Sequence, residues 1–250
     1  MYFDTHCHLC IFKDIPAVIT RARHRAVNYI LAVSMYYADN WTVLDLAKQY
    51  SEVIPALGIH PIEAPNLSNV SENLESIDKL IVDNNVPVVG EIGLDRYFVK
   101  KEQLWKKQEH IFEHFLKFAL ENDLPVNLHG KYAEKELFDV LRMYDLKTIV
   151  VHWFAGSPEL VKEGINRGYY FSVTPEVFYS KRMQRLVELV PIEQLLSESD
   201  GPVTYKKPQR FTGEPALMED VVSKIANIKE QNPQDVARIL FKTATEIFLK

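Results

Sequence analysis

Cysteine is almost missing from this chain: Cys7 and Cys10 are the only two in 250 residues, too close together to staple a long loop. That excludes a disulfide-built extracellular scaffold and fits a reducing compartment, so the cytoplasm is the expected location. Triplets such as Asn69-Val70-Ser71 then carry no glycosylation meaning. Glycine, at 9 residues, is sparse, and no low-complexity stretch offers a disordered linker. No apolar run reaches the roughly 18 residues that cross a bilayer, and Met1-Tyr2-Phe3-Asp4 lacks the charged and then apolar start of a secretion signal. Positive charge is not in excess either. A formal net charge of −5 argues against a protein that coats nucleic acid by charge alone, and leaves room for a local basic groove.

What is present is apolar residue, 47% of a chain of the size of a β/α barrel. One domain over residues 1–250 is expected. Short β-branched or apolar runs ending at polar or turn residues occur at Tyr2–His6, Tyr29–Val33, Val53–Gly58, Val86–Gly90, Pro125–Leu128, Thr148–Val151, Tyr169–Val173 and Gln194–Glu198. Segments of helical periodicity separate them, such as Gln103–Asn122 with Leu104, Ile111, Phe115 and Phe118 on one stripe. Ser157-Pro158 and Asn232-Pro233 read as helix starts, and Gly168 as a stop. Helices are also expected over Glu214–Lys229 and Pro233–Leu249. Strands alternating with helices imply a parallel sheet. An open doubly wound sheet would usually carry a glycine-rich phosphate turn after its first strand, and none is here. The expected fold is therefore an α/β (β/α)8 TIM barrel, with functional side chains at the C-terminal strand ends.

Those ends hold the chemistry. Strand one finishes in Asp4-Thr5-His6-Cys7-His8, and the two-residue period of a strand sends His6 and His8 to one face, a pair able to chelate a metal. Strand four ends in Gly90-Glu91-Ile92-Gly93-Leu94-Asp95, strand five at His129, strand six at His152, strand eight in Glu198-Ser199-Asp200-Gly201-Pro202. Any single histidine here is an ordinary hydrogen-bonded core residue; four histidines and two carboxylates on one rim make a metal site. The expected ligands are His6, His8, Glu91, His129, His152 and Asp200. The expected cofactor is two divalent ions, with Glu91, midway in strand order, bridging them. Zn²⁺, Mn²⁺, Mg²⁺, Co²⁺ and Ni²⁺ are all candidates, since nitrogen and oxygen donors of this kind do not select one. Cys7-His8-Leu9-Cys10 matches a C-x-x-C redox pattern, but Cys7 lies inside a strand end instead of at a helix N-terminus. His24, His110 and His114 fall on helices and read as packing or surface residues.

These residues resemble the TatD-type metal-dependent hydrolases of the amidohydrolase-like barrels. The likeness runs almost the full chain, through Asp4-Thr5-His6-Cys7-His8, Gly58-Ile59-His60-Pro61, the Gly90 to Asp95 run, His129, His152 and Glu198-Ser199-Asp200-Gly201-Pro202. It implies a two-ion barrel hydrolase, a fold often linked to metal-dependent DNase activity on single strands. By position, His6, His8 and Asp200 would hold one ion, His129 and His152 the other, and Glu91 both. Departures lie beside the ligands: Gly130-Lys131-Tyr132 follows His129 where the family has an arginine at the lysine's place, Trp153-Phe154-Ala155 follows His152, and the loop Thr204–Thr212 is untypical. Lysine can balance a phosphate charge but cannot fork two hydrogen bonds to it.

A water shared by two cations loses its proton near neutral pH, giving a nucleophile for an in-line attack on phosphorus. Glu91 and Asp200 are the expected catalytic carboxylates, Asp200 accepting or positioning the water's proton. His60, Lys131, Arg96, Lys206 and Arg210 are the expected substrate contacts. Aromatics interleave with basic residues in three loops, from Arg96 to Lys101, from Phe178 to Arg182, and from Tyr205 to Phe211. Such loops can hold a phosphate backbone while bases stack. The expected substrate is single-stranded DNA or another phosphodiester, with no membrane partner. A carbonyl hydrolase of the deacylase, amidase or lactonase kind is the alternative, because the same ions polarise a C=O; a nucleic-acid-binding scaffold with a vestigial site is a third reading. Neutral replacement of Lys131, Lys206, Lys207 and Arg210 would separate the first two.

Overall fold

In the computed structural model, which describes residues 1–206 and 209–249, eight parallel strands run in the order of the sequence, each beside its successor. They are β1 (Tyr2–Cys7), β2 (Val27–Val33), β3 (Val53–Leu57), β4 (Val88–Asp95), β5 (Val126–Lys131), β6 (Ile149–Val151), β7 (Tyr170–Val173) and β8 (Leu195–Ser197). The crossovers carry α1 (Ile15–His24), α2 (Asp39–Gln49), α3 (Val70–Asp83), α4 (Trp105–Glu121), α5 (Glu134–Leu141), α6 (Pro158–Asn166) and α7 (Lys181–Leu189). The helix starts expected at Ser157 and Asn232 are present: Ser157 Oγ accepts from Leu160 N–H and Asn232 Oδ1 from Gln234 N–H. A short antiparallel ribbon, β9 (Thr204–Tyr205) with β10 (Phe211–Thr212), follows β8; Lys207, one of the expected basic contacts, lies outside the described residues.

Closure is made by the first and last strands. Thr5 Oγ1 donates to Ser197 O at 3.0 Å, Asp200 N–H to His6 O at 3.0 Å and His8 N–H to Gly201 O at 2.8 Å. The barrel end nearest the strand starts is apolar, with Phe3, Leu31, Val33, Ala56, Val88, Val150 and Leu196 forming one cluster with Ala244, Ile247 and Phe248. The last three belong to α9 (Pro233–Phe248), which follows α8 (Met218–Lys229) and seals that end. A glycine on β4 lets β5 approach closely. Gly93 sits at φ +145°, and a Cβ there would meet His129 O at 2.0 Å.

β1 and β4, the strands that carry His6 and Glu91, break the two-residue alternation on the way to the site. Asp4 pairs with Ile30 and Cys7 with Ala32, so three steps on β1 match two on β2; likewise Val89 pairs with Val126 and Ile92 with Leu128, three steps on β4 against two on β5. Each mismatch is one extra residue, a bulge that reverses which side chains face the barrel axis. Below the bulges Phe3 and Val88 lie in the apolar plug; above them His6 and Glu91 enter the polar end. β4 accordingly runs on to Asp95, five residues beyond the Gly90 boundary expected from composition. No helix of the described residues is long and apolar enough to cross a membrane.

Candidate metal centre

Glu91 stands at the middle of the polar end, 0% exposed. Its Oε2 lies 3.3 Å from both His6 Nε2 and His8 Nε2, and its Oε1 lies 2.8 Å from His129 Nδ1 and from His152 Nε2. Asp200 Oδ1 lies 3.6 Å from His6 Nε2 and 3.5 Å from His8 Nε2. The six side chains expected as ligands are thus brought together, from β1 and its end, β4, β5, and the ends of β6 and β8. Three ligand-sized groups result: His6 with His8 and Asp200, His6 with Glu91 and His152, and His60 with Glu91 and His129. His152 is grouped with His6, whose ring stacks on it at 3.9 Å and 7°.

The donor set fits divalent cations. His6 Nε2 and Glu91 Oε2 are buried and make no hydrogen bond among the described residues, although they face one another and the neighbouring donors. Orphaned buried polar atoms are costly in a folded protein and point to a missing partner, here a cation. The far nitrogens fix which atom of each ring is free. His6 Nδ1 lies 2.8 Å from Asn127 Oδ1, whose amide nitrogen is oriented by Thr5 O, so Nδ1 carries the proton and Nε2 the lone pair. His129 Nε2 faces Asp95 Oδ2 at 2.9 Å, leaving Nδ1 as donor atom. His152 Nδ1 faces Glu198 Oε1 at 3.5 Å, leaving Nε2.

His60 has the opposite arrangement. Ile62 N–H donates to its Nδ1 at 3.0 Å, so in the neutral ring the proton is on Nε2, which faces His129 Nδ1 at 3.1 Å and Glu91 Oε1 at 3.4 Å. Burial drops His60 to about 4 and His8 to about 3, so both rings are neutral. His60 therefore presents N–H into the centre as a donor. Burial would raise Glu91, but the imidazoles of His60, His6 and His152 outweigh it and hold the carboxyl well below its ordinary range. Burial lifts Asp200 to about 6 against the pull of His6 and His152.

The expected substrate contacts divide. His60 is in the centre itself. Lys131 stands two residues past His129 on the same strand, hence on the same face. Lys206 and Arg210 are exposed beside the β9–β10 ribbon. Arg96 is not a free rim cation: its side chain is 6% exposed, its Nη1 donates to Gln108 Oε1 and its Nη2 to Glu109 Oε1, and its guanidinium lies 4.2 Å over the Trp105 ring. It is engaged by α4.

Sequence reasoning gave no role to Asn127, Asp95 or Glu198, which hold the ring nitrogens. A signal existed for all three: Asn127 precedes His129 and Glu198 precedes Asp200 by the two-residue period of a strand, and Asp95 follows Glu91 by two such steps on the regular part of β4.

A family model described as TatD related DNase matches residues 3–249. An uncharacterized metal-dependent hydrolase of Methanocaldococcus jannaschii is 31% identical, the match covering 99% of this chain and 96% of the relative. The human deoxyribonuclease TATDN3 is 27% identical, over 99% of this chain and 94% of its own. The crystal structure of YjjV, a TatD homologue of Escherichia coli, superimposes with a TM-score of 0.88 at 27% identity, covering 100% of this chain and 98% of that one.

Proposed function

This chain belongs to the TatD-related DNase family, a family of metal-dependent hydrolases, and from that premise we propose that it is a two-metal phosphodiesterase acting on single-stranded DNA. The observation that carries the reading is Glu91, a fully buried carboxylate with imidazoles at both oxygens. His6, His8 and Asp200 would hold one ion, His129 and His152 the other, with Glu91 shared. Bound divalent cations there supply an acidified water, with a pKa of about 7 for zinc, and neutralise charge on a transferring phosphoryl group.

The chain's own residues do the rest. Asp200, a buried carboxylate beside His6 and His8, would also receive or position the proton of the attacking water. His60 donates its Nε2 proton in a hydrogen bond to a phosphate oxygen; its neutral ring, held by Ile62, keeps it a donor without adding charge. Lys131 adds a positive charge one strand step outward, and Lys206 and Arg210, exposed beside the β9–β10 ribbon after β8, would contribute further charge. A cytoplasmic location is part of the same reading, supported by two thiols that are both free.

The test is cleavage of end-labelled single-stranded DNA by metal-stripped protein, with Mg²⁺, Mn²⁺, Co²⁺ or Zn²⁺ added in turn. Cleavage restored by a metal and lacking in Glu91→Ala is expected. Metal binding with no DNA cut, together with hydrolysis of a neutral ester or amide, would overturn the phosphodiester reading in favour of carbonyl hydrolysis.

A further inference from the structure

Beside the metal centre, three aromatic side chains are left in solvent: Tyr97 is 44% exposed, Phe98 57% and Tyr132 69%. They are contiguous, with Tyr97 5.2 Å from Tyr132 and 4.8 Å from Phe98 between ring centroids. Lys131 Nζ lies 5.2 Å from the rings of Tyr97, Phe98 and Trp153 alike. Among the described residues no carboxylate lies within ion-pair distance of that ammonium, so its charge is met only by ring faces. Solvent-exposed apolar patches of this kind mark binding surfaces.

The patch is tied to the centre. Phe98 N–H donates to Asp95 Oδ1 at 2.6 Å, and the other oxygen of Asp95 holds His129. Trp153 follows His152, and its backbone N–H donates to Glu198 Oε1 at 2.9 Å. Tyr132 and Trp153 both adopt positive φ, +56° and +39°, which bulky side chains rarely do. Packing does not explain this at Tyr132, whose ring is mostly in water; the conformation aims the ring at the rim, and strain of this sort collects at functional sites.

We propose that Lys131 with Tyr97, Phe98 and Tyr132 forms a subsite for one unpaired nucleotide next to the scissile bond, the ammonium holding its phosphate and the rings stacking its base. This rests on the phosphodiesterase reading and adds a reason for single strands: a ring can take a base face only where the base is out of a duplex.

The probe is a short single-stranded phosphorothioate oligodeoxynucleotide carrying 2-aminopurine at one position at a time, titrated with the full-length protein. Fluorescence quenching at one position is expected, with no quenching in the matching blunt duplex. Phe98→Ala and Tyr132→Ala, both at exposed rings, are expected to remove the quenching and weaken binding about tenfold each, whereas Tyr132→Phe keeps both. Lys131→Gln is expected to flatten the salt dependence of binding while leaving the quenching position unchanged. Wild-type affinity and quenching in both alanine variants would overturn the subsite. Metal-dependent cleavage of ordinary single-stranded DNA by the wild type tests the underlying reading separately. Cleavage without ring-dependent quenching removes the subsite and leaves the phosphodiesterase; ring-dependent quenching without cleavage does the reverse.

Discussion

The two halves of the centre use the same ring and set it differently. On the β1 half, His6 is backed by a neutral amide, Asn127, and His8 Nδ1 is buried with no hydrogen-bond partner among the described residues. On the β5 and β6 half, His129 is hydrogen-bonded to Asp95, and His152 Nδ1, also without a hydrogen bond among the described residues, faces Glu198 at 3.5 Å; both carboxylates are 0% exposed. Burial pushes His152 down, yet Glu91 and Glu198 together raise it well above an ordinary histidine. A carboxylate behind a ligating imidazole makes it a stronger and more fixed donor. On the proposed two-ion reading, Glu91 would join two unlike sites, and the β5 and β6 half should fill first.

The largest effect expected is from removing what the halves share. Glu91→Ala should lose both ions and reduce metal-dependent turnover to background, read by metal content after dialysis and by rate. Next come changes of charge alone on the stronger half. Glu198→Gln and Asp95→Asn keep shape and should weaken the first ion by about 10–100-fold in a calorimetric metal titration. Glu198 also accepts from Ser172 Oγ at 2.5 Å, so a thermal melt of the metal-free protein should accompany that variant. An unchanged first binding step in both variants would erase the distinction between the halves. Asn127→Ala, on the weaker half, should cost about tenfold or less, and only in the second binding step. Smallest is the doubly neutral Lys206→Gln, Arg210→Gln. Because both residues are exposed, it should raise KM for DNA at low salt, and the difference should fade near physiological ionic strength.

The same comparison explains what could be read from the residues alone. β5 and β6 are regular, so the two-residue period links Asn127, His129 and Lys131 on one face; β6 ends at Val151 as expected, whereas β5 runs on to Lys131, three residues past the expected Leu128. β1 and β4 carry the bulges. There the motifs His6-Cys7-His8 and Gly90-Glu91 identified the donors, but not how an inward Phe3 and an inward His6 could share one strand. An inserted residue leaves no mark in hydropathy, since it changes only the parity of the positions after it in the strand. His60 was legible as a rim residue; its proton on Nε2 depends on the backbone N–H of Ile62, a contact no side-chain pattern encodes. Arg96 shows the converse. A basic residue at a strand end looks like a substrate contact until Gln108 and Glu109, a helix away, take up its guanidinium.

The most direct measurement is the number of Mn²⁺ or Zn²⁺ equivalents bound per chain on titrating the stripped protein, in the wild type and in Glu91→Ala. Two equivalents bound in separate steps by the wild type, and both lost together in the variant, are predicted. A single equivalent in the wild type, or two that survive in Glu91→Ala, would contradict a centre of two unlike sites joined by one carboxylate.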